Sequence, residues 1–544
     1  MARNVLITCA PPNPNGDLHL GHLSGPFMGA DVLRRYLRAR GVPVRYVSYT
    51  DDHSCYVPRR GAELGWDART TAFRYTRRIE ESLTLAGMLP DYYAHPHREP
   101  LHDDLVREHF LALRDQGVVT ERDVPTPYCT TCERHLYEAY VRGACRFCAA
   151  PSDGTYCEEC GLPQDPGGVL EGRCVTCGGA PETRWQTRLV VRLAPFADRL
   201  AALYADATWR PRVRDYCLRM VERGLPDVPI SRRDDYGVPV PLDGWEGHVL
   251  DTWFSGVFGY MAATAAHGAA LGAPEEWRTL WRDPDTELVH FIGFDCGFSH
   301  AVLWPSLLMG LGGYVTPAHV ISNEFYTLEG EKFSTSRGHA IWGSEFLRDA
   351  HPDAVRLHLC LTAPERAKSD FRLDDFARTV GTVLVDGVEG WASAVLRRLA
   401  EGHGSLVPDV PRADWPTGLR ELVETLPGDL ARHLEPDGFS PRAAAARLTG
   451  AVEQAAEQLR SVPAAPPRDA AAADTAAALA VHAELLGVVA AVSGPLMPTW
   501  SAHAARQVGV PAGFDGVGWP GDGALVPGGT RVAAAYPRLF APRP

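Results

Sequence analysis

The sequence predicts an α/β core built on a parallel, doubly wound sheet. That core is split by a metal-stapled insertion and followed by an α-helical bundle. Three observations carry this. A strand, helix, strand pattern opens the chain. Eight cysteines in four Cys-x2-Cys pairs crowd into residues 129–177. From about Phe376 onward the sequence turns helical and alanine-rich.

VLITC (5–9) is an apolar, β-branched run that ends in the turn APPNPNG. A helical pattern follows from Leu20 to Arg40 and stops at Gly41. VPVRYVSYT (42–50) reads as the second strand, completing a βαβ unit whose ligand site belongs at the carboxyl ends of its strands. Residues 125–182 lose periodicity and fill with Cys, Gly and Pro, a composition too poor in core to fold without a metal staple. Strand patterns return at ELVHFIGFD (287–295) and HVISN (319–323). Proline-rich breaks at 462–467 and 495–498 divide the helical remainder. This places domains at 1–117 (first half of the core), 118–230 (insertion), 231–325 (second half), 326–380 (a linking region) and 381–544 (bundle).

Composition narrows the partners. The 544 residues carry a net charge of −13, which excludes a general basic surface for nucleic acid. The bundle, with 13 Arg against 17 Asp and Glu over 381–544, is itself acidic. Only Lys332 and Lys368 are lysines among 54 basic residues. No charged leader precedes the first strand. The longest apolar stretch, Ala476 to Met497, is interrupted by His482, Glu484 and Pro495. A soluble, cytoplasmic, monomeric protein is expected. In such a chain the paired cysteines are metal ligands rather than disulfides. Cys9, Cys55, Cys217, Cys296 and Cys360 read as small buried hydrophobes.

His19-Leu20-Gly21-His22 places two imidazoles on one face of a helix start, beside free backbone N–H groups. That arrangement suits phosphate oxygens and the charge developing in phosphoryl transfer. Gly21 leaves the backbone open to a planar base. By itself HxxH is equally a pair of surface histidines. Cys-x2-Cys supplies two thiolates from one tight knuckle, so four pairs make two tetrahedral four-thiolate sites with no open position, which is structural zinc.

CAPPNPNGDLHLGH (9–22) resembles the HIGH signature of class I aminoacyl-tRNA synthetases. KFSTSRG (332–338) resembles their KMSKS signature. YTDDHSCYVPRRGAELG (49–65), LDTWFSGVFGYM (250–261) and HFIGFDCGFSHAVLWP (290–305) resemble core segments of the methionyl-tRNA synthetases. The resemblance covers residues 3–380 in order and implies a Rossmann-type class I catalytic core. The implied reaction is ATP-dependent, with Mg2+. An amino acid is converted to its adenylate, and the acyl group then moves to an acceptor. By resemblance His19, His22, Lys332 and Thr335 are catalytic. Gly21, Asp295, Lys332, Ser334 and Ser336 bind ATP, and Asp52 receives the substrate ammonium. The family's topology implies nested zinc sites, Cys145/Cys148/Cys157/Cys160 inside Cys129/Cys132/Cys174/Cys177.

The sequence also departs from that family. Thr335 stands where the second signature lysine belongs, a loss on the order of 2–4 kcal/mol of transition-state stabilisation. Pro11 and Asn13 replace a Leu and a Tyr of the methionine pocket. Ser299 replaces a Phe, and Gly256 and Val257 lie in a rewritten wall, while Trp253, Tyr260 and His300 remain. A thioether gains from apolar burial and has no use for Asn13 or Ser299. Gly390, Ala394 and Ala464 occupy positions that in the family read the methionine anticodon. The expected function is therefore a specialised amino-acid-activating ligase. It would favour an amino acid other than methionine, with a small amine, a hydroxylamine or a tRNA as acceptor. An ordinary methionine–tRNA ligase stands second. A non-catalytic RNA-binding pseudo-synthetase stands third, opposed by the intact His19-Leu20-Gly21-His22, Asp52 and Lys332.

Overall fold

The computed structural model describes residues 4–540 apart from 165, 334–338, 464–470, 512–517 and 522. Its centre is a five-stranded parallel sheet: β1 (Asn4–Cys9), β2 (Val44–Tyr49), β3 (Tyr92–Ala94), β4 (Thr286–Gly293) and β5 (His319–Asn323), in the order β5-β4-β1-β2-β3. β1 pairs in register with β4 from Asn4 opposite Thr286 to Cys9 opposite Phe291, and with β2 on its other edge. The chain winds outward from β1 through β2 to β3, then returns to the other side of β1 for β4 and β5. The order reverses at β1, so a crevice opens beyond the carboxyl ends of β1 and β4. The strands are near-continuous apolar runs because helices cover both faces.

The expected helix from Leu20 to Arg40 is broken. Leu20–His22 forms one turn, Leu23–Phe27 widens into a π-helical turn, and Met28–Ala39 is regular. Pro26 inside the wide turn lacks an N–H, and Gly25 leaves helical geometry at φ −97°, ψ −113°. A Cβ on Gly25 would lie 3.2 Å from the Asn323 side chain, so β5 approaches closely and a larger residue there would have to push that amide aside. β3, only three residues long, carries no legible sequence pattern.

Between β3 and β4 the insertion rises on a long antiparallel ribbon, Val119–Cys129 against Glu182–Arg192, paired from Val119–Val191 to Tyr128–Glu182. The cysteine pairs sit at and beyond its tip. The C-terminal part packs helices Gly390–His403, Thr417–Leu434, Pro441–Arg460, Ala471–Ser493 and Pro498–Gln507. Residues Ala472–Ser493 are long and apolar enough to cross a membrane, with mean hydropathy 1.8, but 94% of that stretch is buried as the bundle's core helix.

Core and bundle share one apolar cluster, from Val5 and Phe291 to Leu486 and Trp500. A buried arginine also ties them. Arg356, on helix Pro352–Leu361, pairs with Asp31 at 2.7 Å, both fully buried. It donates to the carbonyls of Pro495 at 2.8 Å and Leu496 at 3.1 Å, and to Gly87 at 3.2 Å. Burial alone would push the Asp31 carboxyl up. Arg35, Arg356 and Arg34 outweigh it and hold Asp31 well below the usual carboxylate range.

Candidate active site

A cavity of about 580 Å3 occupies the crevice at the switch point. Its walls bring together residues far apart in sequence: Pro11 and Asn13 after β1, His19, Gly21 and His22, Asp51 after β2, Trp253, Gly256 and Val257, Asp295, Ser299 and His300 after β4, and Lys332.

His19 caps the short helix, and its backbone N–H donates to His22 Nδ1 at 3.2 Å. That bond makes Nδ1 an acceptor, so the His22 proton sits on Nε2. The two rings stack at 3.8 Å, and Phe333 stacks on the other face of His19 at 4.4 Å. A Cβ on Gly21 would meet the His19 ring at 2.9 Å, so glycine is required for the imidazole as well as for an open cavity wall. Desolvation lowers His22, which keeps an exposed edge toward the cavity, and desolvation together with the His22 neighbour pushes His19 well below its ordinary value. Both rings are neutral near pH 7 and present N–H donors without charge.

Lys332 is held by an ion pair with Glu158, and Lys368 pairs with Glu159 at 3.1 Å. The two lysines of the chain thus meet the two residues between Cys157 and Cys160. Asp295 lines the cavity, and burial together with the nearby Glu158 pushes it up to about 6. Thr335, Ser334 and Ser336 lie outside the described residues, as does Ala464.

The amino-acid end corrects the sequence reading at two positions. Asp52 does not face the cavity. Its carboxylate accepts the His97 backbone N–H at 3.1 Å and pairs with the His97 ring. Asp51 lines the cavity instead and accepts from the Thr252 hydroxyl. The chain turns tightly there, with the Asp52 N–H donating to the Thr50 carbonyl at 2.8 Å, and the turn carries the two neighbouring carboxylates to different surroundings. Burial pushes Asp51 up to about 7, with Glu138, Asp52 and Asp251 adding to it. Tyr260 is the second correction. It is fully buried, is absent from the cavity wall and hydrogen-bonds His300 Nε2 at 2.7 Å. Pro11, Asn13, Trp253, Gly256, Val257, Ser299 and His300 do line the cavity. Ser299 donates to the Cys296 carbonyl at 3.0 Å, so its hydroxyl is already engaged within its own turn. Tyr49, also in the wall, was not singled out in the sequence. Its place two residues before Asp51 is the signal that points to it.

The cysteines form the two nested groups, Cys129/Cys132/Cys174/Cys177 and Cys145/Cys148/Cys157/Cys160. Sulfur separations of 3.4 and 3.8 Å in the first and 3.9 and 3.6 Å in the second match the ~3.8 Å edge of a tetrahedron with 2.3 Å zinc–sulfur bonds. Both groups fit a structural zinc ion. The inner knuckle leans on the cavity wall: Tyr156, just before Cys157, packs edge-on against Trp253 at 4.6 Å.

The profile of the family "tRNA synthetases class I (M)" matches residues 5–396. The methionine–tRNA ligase of Methanopyrus kandleri is 34% identical over 435 residues, 79% of this chain and 64% of that enzyme, so the match spans less than two thirds of that relative. The methionine–tRNA ligase of Dehalococcoides mccartyi strain BAV1 is 35% identical over 398 residues, 73% of this chain and 72% of its own. The fold is shared with Mycobacterium tuberculosis methionyl-tRNA synthetase bound by methionyl-adenylate, at a TM-score of 0.79 and 21% identity, over 98% of this chain and 100% of that one.

Proposed function

Because this chain belongs to the class I tRNA synthetases of the methionyl type, we propose that it activates an amino acid with ATP and passes the acyl group to an acceptor. The convergence of His19, His22, Asp51, Asp295 and Lys332 on one cavity at the switch point carries this reading. In the first step a carboxylate oxygen of the amino acid bonds to the α-phosphorus, the bond to the bridging oxygen breaks, and pyrophosphate leaves. In the second step the acceptor's nucleophile takes the acyl carbon and AMP departs. The protein positions and stabilises rather than reacting covalently. His19 and His22 offer N–H donors to phosphate oxygens. Lys332 supplies the mobile positive charge, and Asp51 holds the substrate ammonium. Mg2+ accompanies ATP, and two zinc ions hold the knuckles. The work is placed in the cytoplasm, where paired thiols stay reduced.

Two readings of the substrates stand within this. The names of the relatives support methionine and tRNA, the ordinary ligase. Particular residues support a specialised ligase with another amino acid, acting on a small amine, a hydroxylamine or a tRNA. Asn13, Gly256 and Ser299 shape the cavity wall. Thr335 lacks the second signature charge. Gly390 and Ala394 begin the first bundle helix without a base-reading side chain. The relatives support the first reading more broadly, and the cavity wall supports the second where the substrates differ. ATP–pyrophosphate exchange across all amino acids, with and without methionine tRNA, separates them. Efficient methionylation of that tRNA establishes the ordinary ligase. Exchange with another amino acid that tRNA leaves unchanged establishes the specialised one. No exchange at all removes the activation reading.

A further inference from the structure

Tyr49 ends β2 two residues before Asp51, and both residues line the cavity. They converge on one point. A Cβ on Gly256 would lie 3.5 Å from an Asp51 carboxylate oxygen and 3.5 Å from the Tyr49 hydroxyl. The Tyr49 ring is 1% exposed and held on several sides. A Cβ on Gly259 would come within 2.6–2.7 Å of three of its carbons, so its hydroxyl end rests against a position only glycine can occupy. Its edge meets Tyr260 at 5.2 Å between ring centres. Tyr49 faces the cavity and Tyr260 does not. The phenol of Tyr49 therefore occupies the depth next to the ammonium-binding carboxylate, and Tyr260 lies behind it, while its partner His300 reaches the cavity beside Tyr49.

From this geometry we infer that Tyr49 sets substrate length, and that the side-chain subsite takes an amino acid of glycine, alanine or serine size. The inference rests on the amino-acid-activation reading and names the substrate class of that same site. A long unbranched thioether starting at Asp51 runs into the Tyr49 ring. That ring cannot swing aside without displacing the packed wall of Gly259 and Tyr260, and well-packed protein resists such insertion.

Two measurements on the full-length protein test it. One is ATP–pyrophosphate exchange with glycine, alanine, serine and methionine. The other is calorimetric titration with the glycyl and methionyl sulfamoyl-adenosine analogues, which reads binding without the phosphoryl step. The expected result is a kcat/KM at least tenfold higher for one of the small amino acids than for methionine, and tighter binding of the glycyl analogue. Tyr49→Ala should cut that ratio at least tenfold by admitting methionine, and Tyr49→Phe should keep it. Tyr49→Leu replaces the alanine variant if the latter does not fold. A wild-type preference for methionine overturns the inference, as does a ratio that neither shortening variant changes. Binding of the glycyl analogue over the methionyl one without exchange upholds the subsite while removing the reaction. Binding of neither analogue, with no exchange, overturns both.

Discussion

Asp51 and Asp52 are chemically identical neighbours, and the turn after β2 separates them, one to the cavity and one to His97. Asp51→Asn should raise the amino-acid KM at least tenfold, about 1.4 kcal/mol, with kcat less affected. Asp52→Asn should leave KM within a few-fold. A reversed pattern would return the ammonium-binding role to Asp52. The pH dependence has a definite sign. Asp51 is raised to about 7, so in the free enzyme it is protonated below that pH and charged above it. The amino-acid kcat/KM should therefore climb as pH rises through about 7, and Asp51→Asn should flatten the climb. Lys332 makes a related case. Its ion pair with Glu158 joins side chains that are 60% and 53% exposed, and such a pair is worth only about 0–1 kcal/mol. ATP phosphates can draw the lysine away at small cost. Lys332→Ala should slow pyrophosphate exchange at least tenfold, about 1.4 kcal/mol, whereas Glu158→Gln should change it little. Equal losses in both would make the pair itself part of the machinery.

At the scale of elements, the inner cysteine knuckle borders the cavity through Glu158. Glu158 and Glu159 lie between two cysteines of the inner site and hold both lysines, and Tyr156 braces Trp253. About two zinc ions per chain are expected by metal analysis. Cys145→Ser should lose one of them and lower the melting temperature, because structural zinc contributes folding energy directly. It should also depress adenylate formation, since the brace on Trp253 goes with the knuckle. Full activity with one zinc lost would show that the wall stands without its staple. The broken helix after His22 belongs to this scale too. Apolar periodicity reads through Gly25 and Pro26, and the wide turn follows from the missing Pro26 N–H and the non-helical Gly25 beside Asn323.

At the scale of the molecule, Asp31 and Arg356 join the catalytic core to the bundle. Removing one partner of a fully buried pair leaves an uncompensated charge, so Asp31→Asn should cost about 3–5 kcal/mol in a denaturant titration. The sign with pH follows from the depressed carboxyl. Its contribution is complete above the unfolded value of about 4 and disappears only as pH falls toward the lower folded value. A loss below 1 kcal/mol would mean that the shared apolar cluster alone secures the bundle.

The sequence by itself determined the parallel core, the cysteine-knuckle insertion and the helical C-terminal part. Each of these is local: strand runs, cysteine knuckles, helical runs. Only the tertiary structure decided which aspartate faces the cavity, that Tyr49 rather than Tyr260 forms the wall, and that the inner knuckle holds both lysines. Those outcomes depend on the turn after β2 and on contacts between residues more than 170 positions apart, as for Glu158 and Lys332. A tight turn separates neighbouring side chains without altering the surrounding motif, so a motif match identifies a segment and the packing assigns its faces.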